Sequence, residues 1–206
     1  MNDLRRVGIL GGTFDPVHYG HLLIAENARE QFLLDEIWFV PTGASPHKND
    51  SDISDSRHRV KMLCLAIQGQ PHFKINECEV YSHEISYTYR TLEYFSKEYP
   101  ETDFYFIMGA DSLFLLEHWK QPEMICRYCT ILVAVRDTKN EKELEKEISY
   151  LKDTLNADIY PLNTPNFYVS SHEIRNRAAH RQTIKYLVPD AVVNYIIGNR
   201  LYYDGK

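Results

Sequence analysis

Five short, continuously apolar runs recur along the chain: Val7-Gly8-Ile9-Leu10, Glu36-Ile37-Trp38-Phe39-Val40, Phe73-Lys74-Ile75, Phe104-Tyr105-Phe106-Ile107-Met108 and Thr130-Ile131-Leu132-Val133-Ala134-Val135. Between them lie stretches with a helical stripe. Leu22, Ala25, Ala28 and Phe32 mark the first, Val60, Leu63, Cys64 and Ile67 the second, and Leu92, Phe95 and Tyr99 the third. Strands apolar on both faces, alternating with amphipathic helices, predict an α/β chain. It is a doubly wound, Rossmann-like parallel sheet with helices on both faces. After residue 168 the pattern turns helical. Ser170 as N-cap and Glu173 three residues on form a capping box. Arg175, Arg177 and Arg181 follow in that helix. A last amphipathic stretch (Val192, Val193, Ile196, Ile197) ends near Gly198, which reads as a C-terminal capping glycine.

In such sheets ligands sit beyond the carboxyl ends of the strands, so the segments leaving each strand carry the information. Four of these exits are polar. The first is Gly11-Gly12-Thr13-Phe14-Asp15-Pro16-Val17-His18-Tyr19-Gly20-His21, and the second is Pro41-Thr42-Gly43-Ala44-Ser45-Pro46-His47-Lys48. Gly109-Ala110-Asp111-Ser112 leaves the fourth apolar run and Arg136 the fifth. The glycines of the first exit let backbone approach phosphate oxygens, and the helix that follows offers unpaired N–H groups and a positive dipole end. His18 and His21 share a face of its first turn. Packing at the helix start and metal ligation together with Asp15 are competing readings of the pair; the helix-start context favours phosphate contact. Ser86-Tyr87-Thr88 opens another helix, whose first amides could hold a small carboxylate or simply be capped. Trp119 reads equally as core or as a stacking platform for an aromatic ring.

Length and composition then bound the class. With 206 residues, 44% hydrophobic and 25% charged, the chain has ordinary globular composition and is expected to form one domain over residues 1–206. Residues 168–206 are its helical end. A formal charge of −6 argues against a nucleic-acid partner. No apolar run is long enough for a membrane span, and no secretory signal precedes the first strand, so the cytoplasm is the expected setting. Of the four cysteines, Cys126 and Cys129 form a Cys-x-x-Cys with no matching second pair. They read as unrelated thiols at the entry to a buried strand. The charged stretch 139–155 reads as a solvated covering helix.

Chemically, the assembled groups are donors, with no carboxylate pair of glycosidase type. Nucleotidyl transfer needs positioning and charge neutralisation more than covalent help, and a phosphate nucleophile already ionised at neutral pH needs no general base.

These motifs together resemble the bacterial nicotinate-nucleotide adenylyltransferases over nearly the whole chain. The resemblance is carried by Gly11-Gly12-Thr13-Phe14-Asp15-Pro16 with His18 and His21, then by Pro46-His47-Lys48 and Ser86-Tyr87-Thr88. Gly109-Ala110-Asp111 with Trp119, and Ser170-Ser171-His172-Glu173-Ile174-Arg175, complete it. It implies transfer of the adenylyl group of ATP to nicotinate mononucleotide, giving deamido-NAD and pyrophosphate, with Mg2+ brought in on the ATP. His18, His21 and Arg175 are implied as catalytic. ATP is implied to lie against Gly11, Gly12, Thr13, Phe14, His21, Gly109, Asp111, Ser171 and Arg175. Nicotinate mononucleotide is implied to meet His47, Lys48, Thr88, Trp119 and Arg136. Two departures stand out: His172 occupies a position where threonine is commoner, and the acidic helix of residues 139–155 is longer than usual, with an oligomer contact as the one partner role open to it. The alternatives are an adenylyltransferase for nicotinamide mononucleotide or phosphopantetheine, neither of which needs a carboxylate-holding helix start, and a nucleotide sensor without turnover.

Overall fold

The computed structural model describes residues 4–43, 53–82, 85–135, 141–165 and 167–203. Six parallel strands form its sheet: β1 (Arg5–Gly12), β2 (Glu36–Pro41), β3 (Phe73–Ile75), β4 (Thr102–Gly109), β5 (Thr130–Val135) and β6 (Ile159–Asn163), in the order β3-β2-β1-β4-β5-β6. The five predicted runs are all strands. The sixth, β6, is an edge strand that the apolar pattern did not mark. It pairs with β5 from Ile131↔Ile159 to Val135↔Asn163 and carries Pro161, which an edge tolerates because one side of its backbone has no ladder to complete.

Among the described residues, eight α-helices accompany the sheet: α1 (Tyr19–Gln31), α2 (Ser56–Ala66), α3 (Thr88–Glu98), α4 (Ala110–Leu113), α5 (Pro122–Tyr128), α6 (Glu141–Leu155), α7 (Ser171–Ala179) and α8 (Asp190–Gly198). Alternation along the strands divides the core between two faces. Leu10, Ile37, Phe39, Ile107 and Leu132 pack with Ala25 and Ala28 of α1, Met62 and Leu63 of α2, Ile174 of α7 and Ile196 of α8. Val7, Ile9, Trp38, Phe106 and Val133 pack with Leu92 and Phe95 of α3, Ile125 of α5 and Leu144 and Leu151 of α6. The doubly wound architecture is therefore as the sequence predicts.

Three local expectations are corrected. The buried stripe of α2 is Arg59, Met62 and Leu63, rotated from the predicted one, and Cys64 is exposed. A charged residue that finds partners inside has taken a place in the stripe. Helix α7 ends at Ala179, so Arg181 lies beyond it in a left-handed conformation with φ 55°. Gly198 is the last residue of α8 rather than its left-handed cap, and Arg200 takes the positive φ of 52°. Ser170 is the N-cap of α7 as predicted, and the half of the capping box that the structure shows is Glu173 N donating to Ser170 Oγ at 3.1 Å. Cys126 and Cys129 are buried at the entry to β5, with burial pushing the Cys126 thiol up to about 11 and Cys129 higher still, so neither is a ready thiolate. Among the described residues no helix is long and apolar enough to cross a membrane.

Candidate active site

The strand order reverses between β1 and β4, which pair side by side through Leu10↔Ile107. A crevice at the carboxyl ends of two strands that wind in opposite directions is the natural ligand position in this architecture. Both strands end in glycine there, β1 at Gly12 and β4 at Gly109.

The turn after β1 is rigidly built. Phe14 takes φ 51°, unusual for a side chain of its size, and its ring is buried against Phe39 (centroids 5.8 Å apart) and edge-on to His21 (5.0 Å). The Phe14 ring is thus core. His18 is the N-cap of α1, and its ring stacks on that of His21 with centroids 3.7 Å apart. Gly20 makes room for this, since a Cβ there would come within 3.0 Å of His18 Nδ1. His18 N donates to His21 Nδ1 at 3.2 Å. With Nδ1 used as an acceptor, neutral His21 carries its proton on Nε2, which makes that nitrogen the donor. His18 is 3% exposed, whereas His21 is half-buried. His21 is therefore the more accessible of the two.

Helix α7 is tied to the same turn. Ser171 Oγ donates to the Pro16 carbonyl at 2.9 Å, and Arg175 Nη1 to the Asp15 carbonyl at 2.7 Å. The closing motif and the first motif, some 155 residues apart, thus meet directly. Asp15 itself is 2% exposed and accepts from the Tyr202 hydroxyl at 2.6 Å and from Ser54 N at 3.0 Å. Its carboxylate is spent on structure. Among the described residues no group of three or more His, Cys, Asp or Glu is arranged to hold a metal ion. Asp111, in the short α4, is exposed.

A cavity of about 170 Å³ opens beside the turn. Gly11, Gly12 and Thr13 line it together with Thr42, Glu79, Thr88 and Trp119. A larger one of about 630 Å³ shares Thr42, Ser86, Thr88 and Trp119 and extends to Gln121 and Glu123. Trp119 follows the 3-10 turn Leu116–His118; its half-buried ring packs T-shaped with that of Phe106, centroids 6.3 Å apart. It is both partly core and partly available. Thr88 begins α3, whose N-cap, Tyr87, makes no side-chain bond to the first-turn amides. Ser86 is engaged elsewhere, accepting from Gly43 N at 3.2 Å.

Gly43 is needed there. A Cβ on it would run into the Glu79 carbonyl oxygen, backbone against backbone, so neither side yields by rotating. Gly43→Ala is expected to destabilise the protein by ~1–3 kcal/mol, read from urea melts.

The structure therefore brings together the Gly11–Thr13 turn, Thr88 and Trp119 around one cavity, and gathers His18, His21, Ser171 and Arg175 along the turn that follows β1. His47, Lys48 and Arg136 lie outside the described residues. Glu79 was missed in the sequence, although it leaves β3 much as the other polar exits leave their strands. Its Oε1 accepts from Thr91 Oγ1 at 2.6 Å, while Oε2 is buried without a hydrogen-bond partner. Burial raises the carboxyl above its ordinary range, opposed by the Thr91 and Ser86 hydroxyls. The folded state thus favours the protonated form; this contribution is complete below the ordinary carboxyl range and is lost as pH rises through the raised value. Glu79→Gln should accordingly raise the melting temperature near pH 7 and leave it nearly unchanged near pH 4.

Comparison with known proteins gives this geometry a context. The cytidylyltransferase-like family model matches residues 9–177. The chain belongs to the cytidylyltransferase-like family. A protein of Lachnoclostridium phytofermentans named "Probable nicotinate-nucleotide adenylyltransferase" is 41% identical, over 97% of this chain and 100% of its own. One of the same name from Moorella thermoacetica is 40% identical, over 96% and 91%. Among solved structures, the Plasmodium falciparum nicotinic acid mononucleotide adenylyltransferase complexed with NaAD superposes with a TM-score of 0.77. At 24% identity, the match covers 96% of this chain and 97% of that one. The matched span of this cytidylyltransferase-like chain contains the turn after β1, the two cavities and Arg175.

Proposed function

We propose that the protein transfers the adenylyl group of ATP to nicotinate mononucleotide, releasing pyrophosphate and forming deamido-NAD, a step of NAD biosynthesis. The observation that carries this reading is the cavity beside the end of β1, which joins a phosphate-type glycine turn to an uncapped helix start at Thr88 and to the Trp119 ring. A nicotinate ring offers an aromatic face for Trp119 and a carboxylate for the first amides of α3.

In this reading ATP lies over Gly11, Gly12 and Thr13, with His18, His21, Ser171 and Arg175 toward its phosphates and Gly109 and Asp111 toward its nucleoside. His47, Lys48 and Arg136 meet the phosphate of the second nucleotide. That phosphate is ionised at neutral pH and attacks the α-phosphorus in line, the bond to the β-phosphate oxygen breaks, and pyrophosphate leaves with the electron pair. The protein supplies alignment and donors to the developing charge, with His21 Nε2–H the best placed of them. A divalent cation, Mg2+ in this reading, enters on the triphosphate, since Asp15 is committed to Tyr202 and Ser54. When bound, it neutralises phosphate charge. The reaction is placed in the cytoplasm.

The test is pyrophosphate release with ATP and Mg2+ and, in parallel, nicotinate or nicotinamide mononucleotide. A strong preference for the acid is expected. Equal or better use of the amide would overturn the substrate assignment, and no release with either would overturn the enzymatic reading.

A further inference from the structure

Arg59 is 3% exposed, in the middle of the buried stripe of α2. A guanidinium in that position is strongly destabilising unless its donors and its charge are answered. Here each of its three nitrogens donates to a backbone carbonyl: Nε to Ser54 at 3.1 Å, Nη1 to Thr13 at 2.9 Å and Nη2 to Thr42 at 2.8 Å. The three carbonyls come from different segments. Thr13 belongs to the glycine turn after β1, whereas Thr42 and Ser54 flank in sequence the stretch that carries His47 and Lys48. Asp15 answers the charge, and its carboxylate in turn holds Ser54 N and the hydroxyl of Tyr202, itself 5% exposed. Ser54 is thus gripped through its carbonyl by Arg59 and through its amide by Asp15.

We propose that Arg59 is a positioning residue for adenylyl transfer, with Asp15 and Tyr202 as its supports: one buried guanidinium sets the spacing between the ATP turn and both ends of the segment carrying His47 and Lys48. The inference rests on the assignment of those two segments to the two substrates. Stabilising the fold alone would not call for a fork that ties one substrate segment to both ends of the other. Lysine, a compact charge without the planar fork, cannot make the three bonds together.

Arg59→Lys keeps the charge and tests the fork. Relative to the wild type, with circular dichroism and a cooperative melt confirming a folded protein, KM for ATP and for nicotinate mononucleotide should rise together by ~10-fold. kcat should fall by ~10-fold, giving a loss of ~10²-fold in kcat/KM, as small misplacements of reacting groups produce. Tyr202→Phe removes one support and should shift the same parameters in the same direction by a few-fold; it carries the test if Arg59→Lys does not fold. A folded variant with both KM values unchanged, its kcat scaled only by the folded fraction, would overturn the proposal and leave Arg59 a stability residue. ATP binding by calorimetry separates this from the functional reading. If the wild type forms no dinucleotide, at least tenfold weaker ATP binding by Arg59→Lys still supports the clamp. Equal binding, or none by either protein, overturns it.

Discussion

His21→Ala is expected to lower kcat by ~10²-fold or more while the protein stays folded, because removing a donor aimed at charge that develops in the transition state typically costs that much. Position supports this size of effect. His21 lies in the first turn of α1, its Nδ1 accepts from His18 N at 3.2 Å, and its ring is stacked on His18, contacts that orient Nε2–H. The same geometry sets the structural cost. Alanine leaves His18 N without its side-chain acceptor, a capping loss of about 1 kcal/mol, or about 2–4 °C in melting temperature for a chain of this size. Pyrophosphate release and thermal melts, measured on one preparation, check both parts. A protein that unfolds while the remaining folded fraction keeps full turnover would assign the pair to packing instead.

Trp119→Ala should raise KM for nicotinate mononucleotide by ~10–100-fold, with little change in KM for ATP. Aromatic stacking on a base-like ring is worth ~1–3 kcal/mol, and each 1.4 kcal/mol is about tenfold in affinity. The indole packs T-shaped against Phe106 and lines both cavities. Trp119→Phe should recover most of the loss, since a flat ring remains. A rise in KM for ATP alone, measured by varying each substrate in turn, would mean that the two nucleotides had been assigned to the wrong sides.

Much of this arrangement was legible because it is local. The apolar runs marked five strands, the first polar exit marked Gly11, Gly12 and Thr13, and the helix start marked Thr88; the fold collects these with Trp119, which the sequence left open between core and platform, around one cavity. Ser170 and Glu173 announced α7 by capping chemistry alone. What stayed hidden depends on distant partners. Arg59 looks solvent-facing in a helical pattern until three carbonyls are brought to it, and nothing near Tyr202 in sequence points to Asp15, 187 residues away. Its place beside Met62 and Leu63 on one helical face was the available signal. Strand β6 escaped because Tyr160 and Pro161 interrupt its apolar pattern at an edge.

The most direct measurement follows ATP labelled at its α-phosphate through the reaction with nicotinate mononucleotide. The account predicts that the label appears in the dinucleotide, in step with unlabelled pyrophosphate. Label remaining in ATP, or appearing in AMP without dinucleotide, would contradict it.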